Sequence, residues 1–136
     1  MIKGIAHVCV GTLDLAASER FYCSGLGMTK VFDFVRKDKV VGFYLRAGSN
    51  TFVEVFLRDK VVSQPDTPIS HFCLEVSDLD ETIARLKANG YETTPKKMGA
   101  DQSWQAWVID PAGVRFEFHQ YTPQSSQFTG SACVLE

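Results

Sequence analysis

The sequence predicts an α+β fold built from two tandem β-α-β-β-β modules, and three observations support this prediction. The motif Ile-x-His-x-Cys begins at Ile5 and again at Ile69, an offset of 64 positions. The strand-like runs at 53–56 and 116–119 repeat at an offset of 63. Short apolar runs with turn residues between them accompany one helical pattern in each copy. Two copies of about 60 residues indicate paired half-domains and not a solenoid.

The first module is expected to contain one helix and four strands. Asp14 is placed to cap the helix at its N-terminus. Two polar stretches, at 37–39 and 47–50, separate the last three strands because their Lys, Asp, Gly, Ser and Asn residues favour turns. The predicted elements are a strand at 4–10, a helix at 14–25, and strands near 29–36, 40–47 and 51–58.

The second module repeats this order. Its helix is expected to end at Asn89 and Gly90, a pair that favours a helix C-terminus. The last hairpin is expected to turn on the sequence DPAG at 110–113. The predicted elements are a strand at 69–76, a helix at 80–89, and strands near 91–97, 103–109 and 114–121.

The whole chain, 1–136, is expected to form a single domain with one module at about 4–58 and the other at about 69–121. The linker VVSQPDTP at 61–68 is short and contains two prolines, so we expect it to be fairly stiff. The C-terminal tail, 122–136, is rich in Gln, Ser and Thr, and we expect it to be loose at its end.

Composition and charge exclude several classes of function. The chain is 45% hydrophobic and 22% charged, as in ordinary soluble globular proteins, and its net charge is −2 with no basic run. Nucleic acid and membranes are therefore not expected partners. No apolar run reaches transmembrane length and the N-terminus is too polar for a signal peptide, so a cytoplasmic location is expected. The four cysteines lack CxxC spacing and are expected to be free thiols.

Four polar residues at equivalent places in the two modules carry the functional argument. His7 and His71 lie in the first strands, while Glu54 and Glu117 lie in the fourth strands among aromatic or β-branched neighbours. A buried carboxylate is costly unless it is paired or binds a metal. Folding two equivalent halves about a pseudo-twofold axis would bring all four residues together. Two imidazoles and two carboxylates suit Zn²⁺, Ni²⁺, Co²⁺, Mn²⁺ or Fe²⁺.

Further residues are candidates for contacts with a substrate. Arg115 and His119 share a strand face with Glu117, because side chains alternate along a strand. Trp104 and Trp107 are candidate pocket-lining residues, with burial in the core as the alternative. The alternative for Arg115 is a salt bridge with an acidic residue, and the alternative for His119 is a structural role. Each strand histidine is followed two residues later by a cysteine that can face the same cavity or be a structural thiol, Cys9 and Cys73.

The repeat, the run FYCSGLGM at 21–28 and the pattern DPAG-x-x-x-E at 110–117 resemble the vicinal oxygen chelate superfamily. The resemblance covers residues 4 to about 121. This superfamily includes glyoxalase I, methylmalonyl-CoA epimerase, extradiol dioxygenases, fosfomycin-modifying thiol transferases and bleomycin-binding proteins. The resemblance implies a cupped mixed sheet around one divalent metal per site and a homodimeric assembly. The metal ligands that it implies are His7, Glu54, His71 and Glu117.

The implied activity is that of a metal-dependent lyase or isomerase of glyoxalase I type. Four protein ligands leave two positions for a small substrate that chelates through adjacent oxygens and reacts through an enediolate. Glu54 and Glu117 are the candidate catalytic carboxylates for proton transfer. Glutathione-dependent relatives carry Arg and Asn where this chain has Gly11 and Arg58, so the thiol part of the substrate is left open.

Two alternatives to the lyase remain. One is an extradiol-type dioxygenase, which needs three open metal positions and is therefore disfavoured by a second ligating glutamate at Glu54. A methylmalonyl-CoA epimerase would carry Gln at that position. The other alternative is a metal-binding or drug-binding protein without turnover, which the four intact ligand positions disfavour.

Overall fold

The structure of the protein is a computed structural model that describes residues 1–61 and 68–135. The stiff linker predicted at 61–68 falls almost entirely on residues outside this description. The chain forms two compact units, and residues Asp110–Val114 belong with the N-terminal one.

The first unit contains a four-stranded mixed sheet in the order β1-β4-β3-β2. Strand β1 runs parallel to β4, and the other neighbours are antiparallel. This is the predicted β-α-β-β-β order, and the bounds of β2 agree with the prediction. The elements are β1 (His7–Thr12), α1 (Leu15–Glu19), a π-helical turn (Arg20–Gly25), β2 (Thr29–Arg36), β3 (Lys39–Ala47) and β4 (Thr51–Leu57).

The helix of the first unit begins as predicted but changes its winding. Asp14 caps it, since the carboxylate Oδ1 accepts a hydrogen bond of 3.0 Å from the Ala17 amide. From Arg20 the helix is π-helical, and the amide of Leu26 donates to the carbonyl of Phe21 five residues earlier. Phe21 and its neighbour Tyr22 are completely buried. The strand residues with apolar side chains that are also buried in this unit are Val10, Phe43, Leu45, Val53 and Val55.

The second unit repeats the arrangement with the order β5-β8-β7-β6, in which β5 is parallel to β8. Helix α2 is capped by Asp78, whose Oδ1 accepts a hydrogen bond of 2.9 Å from the Glu81 amide. Its Leu79 and Leu86 are completely buried where the helix contacts β7 and β8. The elements are β5 (Phe72–Glu75), α2 (Leu79–Ala88), β6 (Lys97–Met98), β7 (Trp104–Ile109), β8 (Arg115–Gln120) and α3 (Ser126–Thr129).

The prediction of a regular strand at 91–97 is wrong. That stretch makes an isolated bridge between Thr93 and Val108, and regular pairing begins only with the short strand β6. Pro95 lies between the two and has no amide hydrogen to donate to a ladder.

The tail starts with an ordered segment, although residues 131–135 are exposed and irregular. Ser125 is completely buried, and its hydroxyl accepts a hydrogen bond of 3.0 Å from Ser103. The amide of Ser126 donates to the carbonyl of Asp101 over 2.8 Å. These bonds attach α3 to the loop before β7. In the part of the chain that the structure describes, no helix is long and apolar enough to cross a membrane, and all four cysteines are free.

Candidate functional site

His7 and Glu54 form the first of two histidine–glutamate pairs. They lie on the neighbouring parallel strands β1 and β4, where Cys9 is directly opposite Glu54. Because side chains alternate along a strand, His7, Cys9 and Glu54 share one face of the sheet. His7 Nε2 lies 3.4 Å from Glu54 Oε2, and the other ring nitrogen, Nδ1, lies 3.4 Å from the hydroxyl of Tyr44.

Aromatic rings surround the first pair on the same face. Tyr44 stacks on Phe32 and on Phe52, with ring centroids 4.8 and 5.0 Å apart. Phe34 stacks on Phe56 at 4.5 Å. We call these five residues the aromatic surface. Sequence reasoning missed it, although the alternate positions of the aromatic residues in β2 and β4 were a usable signal.

Two arginines flank the aromatic surface. Arg46 lies over the ring of Phe52, with its guanidinium carbon 5.0 Å from the centroid. Arg58 lies over the ring of Phe56 at 5.3 Å. The stem of Arg58 also covers Gly11, since a Cβ atom at Gly11 would lie 2.9 Å from Arg58 Cγ. The face therefore combines flat apolar area with positive charge.

His71 and Glu117 form the second pair, in the second unit. His71 Nε2 lies 3.6 Å from Glu117 Oε2, and the Nδ1 atom lies 2.8 Å from the hydroxyl of Ser70. Trp107 is opposite Glu117 in the β7–β8 ladder, and its ring lies 4.7 Å from the ring of His71. Arg115 lies over the ring of Trp107, with its guanidinium carbon 3.8 Å from the ring centroid.

His119 and Asp101 extend the second pair. His119 Nε2 lies 3.1 Å from Glu117 Oε1, and its Nδ1 lies 3.9 Å from Asp101 Oδ2. Asp101 accepts hydrogen bonds from the Ser103 amide, the Gln105 side chain and the Gln127 side chain. Desolvation opposes ionisation of Asp101, but the bonds from Gln127 and Ser103 outweigh it and lower the pKa of this carboxyl. A charged Asp101 therefore faces His119.

The cysteine beside each glutamate is kept in its thiol form. Burial and, next, the charge of Glu54 raise the pKa of Cys9. Burial and, next, the charge of Glu117 raise the pKa of Cys73 to about 12. Cys73 lies opposite Glu117 in the β5–β8 ladder. Its sulfur, one ligand atom of Glu117 and one of His119 lie within 4.8 Å of one another. Sequence reasoning treated this cysteine as a structural thiol and did not group it with His119.

The candidate residues for substrate contact do not all lie together. Arg115, Trp107 and His119 share the face of Glu117 in the second unit. Trp104 lies on the opposite face, the one that also carries the buried Phe116 and Phe118, because it is opposite Gln120 in the ladder. Its ring is covered by the ammonium group of Lys96 at 4.9 Å. Trp104 therefore does not share the face of Glu117, and the residue is half-buried.

The spacing within each pair fits ligands that share a metal ion. Bonds of about 2.0–2.2 Å to nitrogen and oxygen place neighbouring ligand atoms roughly 3.0–3.6 Å apart. The two separations, 3.4 Å in the first pair and 3.6 Å in the second, agree with this range. In both pairs the other ring nitrogen contacts a hydroxyl, which fixes the ring as a metal-binding histidine requires.

A comparison with protein families decides the assignment of the fold. The model of the Glyoxalase/Bleomycin resistance protein/Dioxygenase superfamily matches residues 4–118. The chain belongs to this superfamily. The resemblance to the vicinal oxygen chelate superfamily is therefore confirmed, as is the α+β fold of two similar modules. No curated protein matches the chain closely enough to count as a relative.

Solved structures agree with this assignment. A glyoxalase family protein from Enterococcus faecalis is 27% identical, with a TM-score of 0.72 over 87% of this chain and 98% of that chain. A lactoylglutathione lyase from Agrobacterium tumefaciens is 21% identical, with a TM-score of 0.67 over 88% and 94%. TnmS3, an antibiotic binding protein from Streptomyces sp. CB03234, is 22% identical, with a TM-score of 0.68 over 89% and 98%. The last two likenesses show a shared fold.

Proposed function

We propose that the protein is a metal-dependent lyase or isomerase of glyoxalase I type that acts on a small oxygenated substrate. The observation that carries the proposal is the pair of matched contacts between a histidine Nε2 and a glutamate Oε2, one in each module. The proposed ligands of one divalent metal are His7, Glu54, His71 and Glu117. When bound, the metal acts as a Lewis acid toward two adjacent oxygens of the substrate.

Glu54 is the better placed of the two carboxylates to accept a proton from the substrate. Its side chain is 19% exposed and has one imidazole neighbour, whereas that of Glu117 is 10% exposed and lies between His71 and His119. A general base accepts a proton and later releases it. A carboxylate with fewer neighbouring side chains can do both with less rearrangement of those side chains. In the proposed reaction Glu54 removes the proton from carbon and returns it to the adjacent carbon.

The surroundings of the two pairs favour a substrate that carries an apolar part and negative charge. Tyr44 and Phe52 offer stacked rings beside His7. The side chain of Arg58 occupies the space above Gly11 in β1. It therefore places a guanidinium beside this strand, which contains no arginine of its own. Arg115 supplies a second positive charge beside Trp107 on the face of Glu117. Each guanidinium can bind a carboxylate through two hydrogen bonds.

The test is a product screen on protein loaded with a single metal. Apoprotein loaded in turn with Zn²⁺, Ni²⁺, Co²⁺, Mn²⁺ or Fe²⁺ is offered α-ketoaldehyde–thiol adducts and hydroxy-carbonyl acids in deuterated water. The proposal expects deuterium to enter the substrate carbon together with product formation, and both to fail in Glu54→Gln. Metal-loaded protein that exchanges no proton with any of these compounds would count against it.

The aromatic surface favours a second candidate function, the binding of an aromatic compound without turnover. Five rings on one sheet face offer more stacking area than an enediolate of a few atoms requires. Two arginines over the outer rings add affinity for an acidic ligand. Tight equilibrium binding of an aromatic acid that is recovered unchanged, and that Phe52→Ala abolishes, would support this candidate over the enzyme.

A further inference from the structure

The second unit carries a second histidine, His119, whereas the first unit has only His7. Cys9 lies opposite Glu54 and Cys73 lies opposite Glu117, so both modules place a thiol beside the pair. At the offset of 63 that relates the modules, His119 corresponds to Phe56. The sulfur of Cys73 and the ligand atoms of Glu117 and His119 lie within 4.8 Å of one another. This group does not need any residue of the first unit.

The ring of His119 is held in the manner of a metal-binding histidine. Its Nδ1 faces the carboxylate of Asp101 at 3.9 Å, and Asp101 is itself fixed by Ser103, Gln105 and Gln127. Histidines that bind metals usually direct the second ring nitrogen at such a carboxylate. Nε2 is buried without a hydrogen-bond partner among the described residues, and it lies 3.1 Å from Glu117 Oε1. A buried polar atom without a partner is unfavourable unless something else binds it.

We propose that Cys73 Sγ, a carboxylate oxygen of Glu117 and His119 Nε2 form a metal-binding site of their own for a thiophilic divalent cation such as Zn²⁺. The donors are one sulfur, one oxygen and one nitrogen, a combination that Zn²⁺ accepts in tetrahedral sites with water as the fourth ligand. On binding, the thiol of Cys73 releases its proton to solvent and the thiolate bonds to the cation. Because Glu117 belongs to both ligand sets, a cation at this site competes with the metal of the proposed enzyme.

The test uses Co²⁺ as a probe, since a bond between thiolate sulfur and Co²⁺ gives a charge-transfer band in the near ultraviolet. Full-length apoprotein is titrated with Co²⁺, and Zn²⁺ is then added to displace it. The proposal expects the band in the wild type, its loss in Cys73→Ser, and its disappearance when Zn²⁺ is added. Asp101→Asn should weaken Co²⁺ binding roughly 10- to 100-fold, the usual effect of removing a carboxylate behind a ligand histidine.

Two variants in the first unit serve as controls. Cys9→Ser removes the equivalent thiol, and His7→Ala removes a ligand of the proposed enzyme without touching the three donors. Both should keep the sulfur band. A wild type without the band, or a band that survives in Cys73→Ser, would overturn the proposal. Loss of the band in His7→Ala would also overturn it, because the sulfur would then bind only the four-ligand metal. If the lyase screen fails while the sulfur band is lost in Cys73→Ser and kept in both first-unit variants, only the proposed function is refuted.

Discussion

The hydroxyl of Tyr22 donates a hydrogen bond of 2.8 Å to Asp110 Oδ2, which joins residues 88 positions apart. Both groups are buried, and Asp110 Oδ1 also accepts from the amides of Ala112 and Val114. Burial raises the pKa of Asp110 against the effect of these bonds, and burial followed by the charge of Asp110 raises the pKa of Tyr22. The π-helical turn is thereby attached to the turn that follows β7.

Replacing Tyr22 by Phe should lower the free energy of unfolding by about 1.5–3 kcal/mol, because it removes a hydrogen bond to a buried carboxyl group. Denaturant unfolding of Tyr22→Phe and wild type measures the difference. Tyr121→Phe is the matched control, since that residue is only half-buried, and its effect should stay within about 0.5 kcal/mol. Equal effects of the two substitutions would show that the Asp110 bond contributes little.

His71→Ala should lose most of the bound metal and the activity, since the second pair would retain only its carboxylate. Elemental analysis of purified protein measures the metal content directly. Glu75→Gln is the control, because it removes a carboxylate from β5, the strand that follows His71, and leaves the pair intact. Full metal occupancy in His71→Ala would remove the basis of the proposed ligand set.

Glu54→Gln should keep the metal with reduced affinity but lower turnover roughly 10²- to 10⁴-fold, the usual contribution of a general acid–base group. The glutamine side chain has the size of glutamate and keeps an oxygen that can bind a metal. The substitution should therefore lower kcat and leave the stability of the fold unchanged. Steady-state kinetics on metal-loaded protein are the measurement. Turnover equal to that of the wild type would transfer the proton-transfer role to Glu117.

Cys73 should be slow to alkylate in the folded protein, because its pKa of about 12 leaves little thiolate near pH 9. Iodoacetamide labelling followed by mass spectrometry should show at least a roughly 10-fold acceleration at Cys73 when the protein is unfolded, against little change at Cys133. Both residues are exposed in the fold, so the comparison reports the ionisation of the thiol and not its accessibility. The folded-state pKa lies above the unfolded value of 9.0, so this thiol stabilises the fold fully below pH 9. That contribution should disappear as the pH rises toward 12. Labelling of Cys73 as fast as that of Cys133 would contradict the expectation.

The protein should be a homodimer with two equivalent sites, as closed twofold assemblies are the commonest for small proteins. Sedimentation at micromolar concentration is the measurement, and monomer alone would refute it. If the sites are shared between chains, a mixture of His7→Ala and Glu117→Ala should regain some activity, since one site in each heterodimer is intact. A mixture of His7→Ala and Glu54→Ala, both altered in the first module, should regain none in either arrangement.

The parts of the fold that depend on local chemistry were predictable from the sequence. The cap at Asp14 and the bounds of β2 follow from short-range hydrogen bonding and from alternation, and the structure confirms them. Asp78, at the equivalent place in the repeat, caps the second helix in the same way. The repeat predicted equivalent histidine–glutamate positions, and each module does bring its own pair within 3.6 Å. Whether the two pairs bind one metal stays a prediction.

The parts that depend on long-range contacts were not predictable. Asp101 lies in a loop, and its importance comes from Gln127, 26 positions later, together with the ring of His119. The bond from Tyr22 to Asp110 gives the DPAG turn a second role that its sequence does not reveal. The π-helical turn is defined by backbone bonds such as that from the Leu26 amide to the Phe21 carbonyl, which no pattern of side chains indicates.

The contrast between the surroundings of the two pairs has a consequence for how the protein can evolve. Rings and arginines surround Glu54, whereas a second imidazole, that of His119, and a fixed aspartate lie beside Glu117. Under the two proposals above, mutations among the rings would change which compound is bound, and mutations around Glu117 would change which cation is bound. Selection on each property would then act on a separate set of codons, and a descendant could acquire a new substrate without first losing its metal.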